Sequence, residues 1–514
     1  MPLLVSRLSA PLLGATIVLL VFGWRIVPPG HTGWMLSGVL GPDPVQYWLG
    51  WSFLREDDWR WPLGLNPRFG LEISSSIFYA DSIPLLAFLF KALRPLVEVE
   101  QYWGLWLVSC GALQGWLAWR LVGLVLPRGP GRVVAVVLFV LQPLLLNRMA
   151  GHFALAGQWL ILWGLLLALT PGGRWRWAGW AALMLGASLI HSYILPMVLG
   201  LWAADMLRRR AWAEVIPVPA MAALGLWLAG FFVLQAGHGG AAYGTMQLDL
   251  LAPFDPGYWG AFLPDLPGPD HPEVGGSYLG LGALLVLPFA FAAPRTRRLL
   301  PLVMVLAAML AFAVTHRPSL GGGQITLFDL PLAEVAGALR ASERYFWPAA
   351  YALILAGVAG LARVLGPRRA GMALVLLAFV QIADLRPGLA RIAEFFPPTE
   401  PVLALRLADP AWARFPVIRA VPAANQGVHW EEIATAAATH RRSTDAIYLA
   451  RADPVRTEAL RAEMLTRLRE GRLEAGVLYV LRDEEAVEAA RAGGGNPRLI
   501  DGLIVLPSEG AASR

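Results

Sequence analysis

Two sets of side chains in this sequence have the types and spacing for chemistry on a phosphate-linked substrate. The first set follows the opening apolar run and centres on GPDPVQYW, Gly41 to Trp48, where Asp43 stands near Gln46 and Tyr47. The same polar stretch carries Arg68, Tyr79 and Asp81. A carboxylate such as Asp43, or Asp81 as the alternative or an orienting partner, suits a general base that takes a proton from a hydroxyl. The second set is basic. In NRMAGHF, Asn147 to Phe153, Arg148 and His152 lie four apart and share a face if a helix continues, so a guanidinium fork and a protonated imidazole could hold one phosphate together. His191 beside Tyr193 marks a further turn, and RASERYFW, Arg340 to Trp347, brings Glu343 and Arg344 to the start of another apolar run.

Each of these residues also has a plain structural use. Asp43 before Pro44 is a good N-cap arrangement, Arg148 can snorkel to a membrane interface, and His152 can cap a helix end. His191 can be a satisfied core histidine, and Glu343 can simply neutralise Arg344. The run Glu56, Asp57, Asp58 is of the type that suits Mg²⁺ or Mn²⁺, but its spacing is that of any solvated edge. No metal site is therefore assigned, and no cofactor is expected beyond such an ion.

These residues need elements to position them, and composition indicates which. The chain has 514 residues, 57% hydrophobic and 15% charged, with a mean hydropathy of +0.55. So little polar surface, in runs near bilayer length, predicts an α-helical polytopic membrane protein. The net charge of +6 comes from forty-two basic residues, of which Lys91 is the one lysine. In such a chain basic residues report orientation, and no nucleic-acid partner is expected. The single cysteine, Cys110, lies in an apolar run and excludes an intramolecular disulfide.

About eleven transmembrane helices are expected in residues 1–384, the first at Leu8 to Gly23 and the last at Ala370 to Ala383. Ile83 to Leu96, interrupted by Pro84, Lys91 and Pro95, is read as an interfacial segment rather than a crossing. With that choice and a cytoplasmic amino terminus, the arginine-rich loops fall inside. The first external loop, 24–77 with its interfacial helices, and the second large loop, 236–277, fall outside; Ala236 to Ser277 contains no Lys or Arg. The tryptophans Trp48, Trp51, Trp59 and Trp61 fit a first loop lying in the headgroup layer. Phe22 to Pro29 lacks a small-residue cleavage site, so the first run is expected to be an uncleaved anchor.

Beyond Asp384 the pattern changes. Runs such as FPVIRAV, DAIYLAR, GVLYVL and LIDGLIVL, separated by helical patterns at Trp430 to Arg441 and Pro454 to Glu470, predict a small extracytoplasmic α/β domain over 394–514. This domain could bind an acceptor or serve as a lid. It contains no metal-spaced cysteines or histidines and no phosphate-binding glycine loop.

An acidic residue in a long external loop, an interfacial apolar helix before the second span and a terminal external domain resemble the GT-C class of membrane glycosyltransferases. The stretches GPDPVQYWLGWSFLREDDWRWPLGLNP, FYADSIPLLAFLFK, NRMAGHFALAGQWLILW and RASERYFWP are similar, more closely, to an uncharacterised family of bacterial multispan proteins grouped near that class. The resemblance implies a GT-C-like fold in the bacterial inner membrane and transfer of a hexose or pentose from a polyprenyl-phosphate carrier to an acceptor hydroxyl. Asp43 would be the base. Arg148, His152 and Arg344 would neutralise the departing lipid phosphate, with His191, Glu343, Gln46, Tyr47, Arg68 and Tyr79 as further substrate contacts. The implied partners are the lipid-linked sugar, a glycan, lipid or protein acceptor, and membrane lipid. Two other readings stay open: a non-catalytic scaffold for cell-envelope assembly, and a transporter of lipid-linked glycans.

Overall fold

Proline and glycine cut the apolar runs of this chain into short pieces. The computed structural model describes residues 2–234, 243–270, 276–330, 336–397 and 407–508, with side chains from residue 8 onward. Of the expected loop 236–277, residues 236–242 and 271–275 lie outside the described residues, as do 398–406 and 509–514 of the expected domain 394–514. The run expected as one span at Val133 to Leu146 is instead two stretches, Pro130–Val140 and Pro143–Met149, bent by 58° at Pro143. Tyr278 to Ala293 becomes a six-residue α-helix, Leu281–Val286, followed by the 3-10 turn Leu287–Ala292 that opens at Pro288.

The expectation of about eleven transmembrane helices is therefore overturned. Among the described residues three helical stretches are long and apolar enough to cross a membrane, Trp212–Ala229, Arg297–Val314 and Ser342–Asp384, or four if the bent pair counts as one. The physical reason is local. Proline removes a donor and clashes with the preceding turn, and a glycine at positive φ ends a helix, so an apolar run of adequate length need not be one rod. Even the longest stretch, Trp347–Asp384, is two helices meeting at Gly366, which has φ 76° and ψ 157° immediately before Pro367.

The chain divides into two compact units. The first comprises Met1–Pro28, Tyr102–Ala223 and His238–Pro397. Here helices Pro2–Phe22 and Trp103–Val122 pack with their backbones nearly touching: a Cβ on Gly14 would lie 2.0 Å from the carbonyl oxygen of Gly111. The Gly111-x-x-x-Gly115 spacing gives that close approach. Broken helices leave carbonyls without intrahelical donors, and buried glutamines answer them. The Gln381 side-chain amide donates to Leu141 O at the bend (2.8 Å) and to Leu279 O (3.0 Å), while that of Gln158 donates to Leu144 O (2.7 Å).

The second unit comprises Pro29–Gln101, Leu224–Gly237 and Pro398–Arg514. Its core is a five-stranded sheet of β1 (Val417–Val421), β2 (Ser443–Thr444), β3 (Val477–Leu481), β4 (Arg498–Ile500) and β5 (Leu503–Ser508), in the order β2-β1-β3-β5-β4. β2, β1 and β3 run parallel; β5 and β4 complete the sheet as an antiparallel hairpin that turns at Asp501 and Gly502, both at positive φ. Helices Trp430–Thr439, Pro454–Arg469 and Glu484–Ala492 lie between the strands in sequence. DAIYLAR, read as a strand from its alternation, leaves the sheet after Thr444 and keeps only a lone bridge from Ile447 to Asn425.

The polar stretch after the first apolar run folds onto this sheet. Gly70 N donates to Thr444 O (2.8 Å) and Thr444 N to Arg68 O (3.0 Å), extending the sheet beside β2. Arg419 of β1, almost fully buried, donates to both carboxylate oxygens of Glu72 (2.9 and 2.6 Å) and to Asp445 (3.2 Å). The guanidinium beside Glu72 holds that carboxyl below its ordinary range.

Candidate functional site

Asp43 is the first residue of helix Asp43–Glu56, half-buried, where the unsatisfied N–H groups of the helix start favour a negative charge. Its Oδ1 accepts a hydrogen bond from the hydroxyl of Tyr448 at 3.2 Å. Trp430, buried at the start of its own helix, meets the Tyr448 ring edge-on with centroids 5.3 Å apart.

The other first-loop candidates surround that helix in the same unit. Gln46 is buried and its side-chain amide donates to Tyr79 O (3.0 Å), the same carbonyl that accepts Ala450 N (2.8 Å). Tyr47 is buried and its backbone carbonyl accepts the Ser82 hydroxyl at 2.7 Å. Asp81, half-buried, sits immediately before Ser82 with a left-handed backbone of φ 52°, a conformation that aspartate tolerates better than most residues. Tyr79 donates its hydroxyl to Phe231 O at 2.9 Å; burial pushes its pKa up to about 12 against the pull of Arg451, so it is a neutral phenol at physiological pH. Arg68 is engaged with the C-terminal segment, its guanidinium donating to Arg441 O and, at 3.5 Å, to the Ser443 hydroxyl.

The acidic run that suits a divalent cation is held by cations of the chain itself. Glu56 pairs with Arg94 (2.7 Å) and Arg55 (3.3 Å), Asp57 pairs with Arg60 (3.2 Å), and Lys91 reaches Asp58 O (3.1 Å). Among the described residues no three His, Cys, Asp or Glu gather as a metal-binding group.

The basic candidates all belong to the first unit. His191 sits in the turn between helices Arg176–Ile190 and Ile194–Arg209, and its Nδ1 accepts Tyr193 N at 3.1 Å. Burial first, then the nearby charges of Arg344 and His152, push its imidazole well below its ordinary range, so it is neutral at physiological pH. The Arg344 guanidinium carbon stands 4.6 Å from the centroid of Tyr193, a cation–π contact. His152, His191, Tyr193 and Arg344 are thus brought together, and Glu343 beside them accepts the Ser277 hydroxyl. Arg148, buried, lies instead near Tyr258, whose hydroxyl donates to Asn147 Oδ1 (3.3 Å) and whose ring faces Arg391 at 4.5 Å.

Sequence reading did not single out Tyr448, Trp430, Tyr258 or Arg391. Local periodicity could not have singled out Tyr448, Tyr258 or Arg391, because each of these matters through a partner more than a hundred residues away.

Residues 11–386 match a family model described as domain of unknown function (DUF6311), and residues 408–508 match the DUF6311 C-terminal domain. No curated protein matches the chain.

Proposed function

The chain belongs to the DUF6311 family, and for this member we propose a membrane glycosyltransferase that moves a sugar from a polyprenyl-phosphate carrier to an acceptor hydroxyl. Asp43 takes the acceptor proton as the acceptor oxygen attacks the anomeric carbon; the bond from that carbon to the phosphate oxygen breaks, and the lipid phosphate leaves with the electron pair. The growing charge on the phosphate is met by Arg344 and His152, which the first unit brings together. His191, neutral, contributes a hydrogen bond rather than a charge.

The observation that carries this reading is the Asp43 carboxylate itself. It is half-buried at a helix start and bonded by a tyrosine, in the same unit as Gln46, Tyr47, Arg68, Tyr79 and Asp81. Support for a lipid-linked substrate comes from the helices that are long and apolar enough to cross a membrane. The most apolar windows of Trp212–Ala229 and Arg297–Val314 are only 22% and 17% buried, which leaves their apolar sides for lipid. The same reading puts the chain in the bacterial inner membrane with residues 394–514 on the extracytoplasmic side.

The test is transfer of labelled sugar from polyprenyl-phosphate glucose, galactose, mannose and arabinose by the full chain in proteoliposomes containing cell-envelope lipids and glycans as acceptors. Asp43→Asn is expected to lower the rate by roughly 10²–10⁴-fold with the protein still folded. A folded Asp43→Asn protein with the wild-type rate would remove Asp43 as the base.

A further inference from the structure

We propose that Tyr448 is a positioning residue for the Asp43 carboxylate, so that the C-terminal domain completes the catalytic base and is more than a lid. The inference rests on the glycosyltransferase reading above. Its starting observation is the hydrogen bond from the Tyr448 hydroxyl to Asp43 Oδ1 at 3.2 Å.

Three further observations make that contact a built one. First, the Tyr448 backbone is pinned on both sides. Ile447 O accepts Gln426 N (2.8 Å), while Leu449 both donates to Asn425 Oδ1 (2.8 Å) and accepts Asn425 Nδ2 (3.0 Å). Second, the segment of Tyr448 and the helix of Asp43 are tied to a single acceptor. Tyr79 O takes the Gln46 side chain, three residues after Asp43, and Ala450 N, two residues after Tyr448. Third, helix Trp430–Thr439 packs against helix Asp43–Glu56, and the buried Trp430 ring fixes the plane of the tyrosine. A phenol so held fixes the rotamer of the carboxylate it bonds, and a base must be aligned within a fraction of an ångström to act.

The topology explains why this domain can supply such a group. Tyr448 follows β2, and Asn425 and Gln426 follow β1, so both segments leave the carboxyl ends of adjacent parallel strands. In open α/β sheets that edge is where ligands and reactive groups gather. Gln426 and His429 in the loop after β1 have φ of 56° and 58°, a left-handed conformation uncommon for such residues and frequent around functional sites. DAIYLAR abandons its strand pattern at this point, and leaving the sheet is what turns Tyr448 toward Asp43.

The experiment uses the full chain in proteoliposomes with whichever of the four polyprenyl-phosphate sugars the wild-type protein turns over. Tyr448→Phe is expected to lower kcat about tenfold with the donor KM changed less than about twofold, because orientation of the base acts in the transition state and not on lipid binding. Tyr448→Gln, which keeps a donor, should exceed Tyr448→Leu, which keeps none. In the Asp43→Asn background Tyr448→Phe should cost nothing further, the non-additivity expected of two groups acting as one. An unchanged kcat in Tyr448→Phe, equal rates for the Gln and Leu variants, or fully additive losses would each overturn the positioning role while leaving Asp43 as the base. A fully active Asp43→Asn protein, or a wild-type protein inert toward all four donors, would remove the underlying reading and this inference with it.

Discussion

As the phosphate contact proposed above, Arg344 would bind through shape as much as through charge. Its guanidinium faces the Tyr193 ring at 4.6 Å, and a planar fork that stacks on an aromatic can still offer bidentate hydrogen bonds to a phosphate. Lysine keeps the charge and loses both properties. Arg344→Lys is therefore expected to lower kcat/KM for the lipid-linked donor by roughly tenfold, and Arg344→Gln by more, measured as initial rates across donor concentration. Equal kcat/KM in Arg344→Lys and wild type would mean that any cation serves there. At this scale the sequence was informative about types and poor about partners. Arg148 and His152 are four apart, yet the structure groups His152 with His191 and Arg344, and Arg148 with Tyr258, because helix Pro143–Met149 ends before His152 and the shared helical face never forms. Tyr448 is 405 residues from Asp43, a distance that no spacing rule bridges.

Elements in this chain are short because the sequence repeatedly forbids their continuation, and what holds the breaks is polar. Gln381 donates to the carbonyls of Leu141 and Leu279 in a buried setting, so Gln381→Leu leaves two carbonyls without that donor and is expected to cost about 1–3 kcal/mol, read as a lowered thermal midpoint in detergent. A midpoint equal to wild type would show that the breaks close without it. In the second unit the tie between Glu72 and Arg419 carries a pH signature. The folded-state pKa of Glu72 is lowered by the guanidinium, so its contribution is present above the ordinary glutamate range near 4.3 and is lost as pH falls through the lower folded value. Amide exchange at Gly70 and Thr444 should quicken, after correction for intrinsic rates, on acidification through that window, and Glu72→Gln should abolish the dependence. Apolar periodicity made the individual runs legible, but not whether a run continues as one helix. Pro143 and Pro288 each interrupt a run that hydropathy alone would carry across, whereas the break at Gly366 falls between two runs that the sequence already separates, one ending at Ala362 and the next beginning at Ala370. The strands FPVIRAV and GVLYVL were readable because β1 and β3, apolar apart from Arg419 and Tyr479, are central strands that pair parallel with each other, whereas DAIYLAR has a similar apolar run and serves a contact instead.

For the molecule as a whole, the consequential feature is that the stretch around Asp43 and the C-terminal sheet fold as one unit, joined by Thr444, Glu72 and Tyr448. If that unit lies outside the cytoplasm, single cysteines at its exposed Trp59 and Arg456 should both react with an impermeant maleimide in spheroplasts. The native Cys110 is buried and leaves a low background. Protection of both until the membrane is opened would put the unit in the cytoplasm, away from the proposed acceptors. The most direct measurement of the account follows the donor itself, in purified wild-type and Asp43→Asn protein side by side. The wild-type protein is predicted to release free polyprenyl phosphate as the sugar appears on an acceptor hydroxyl with inverted anomeric configuration, and the variant to release almost none. Equal release by the two proteins, or a sugar delivered across the bilayer with its phosphate bond intact, would contradict it.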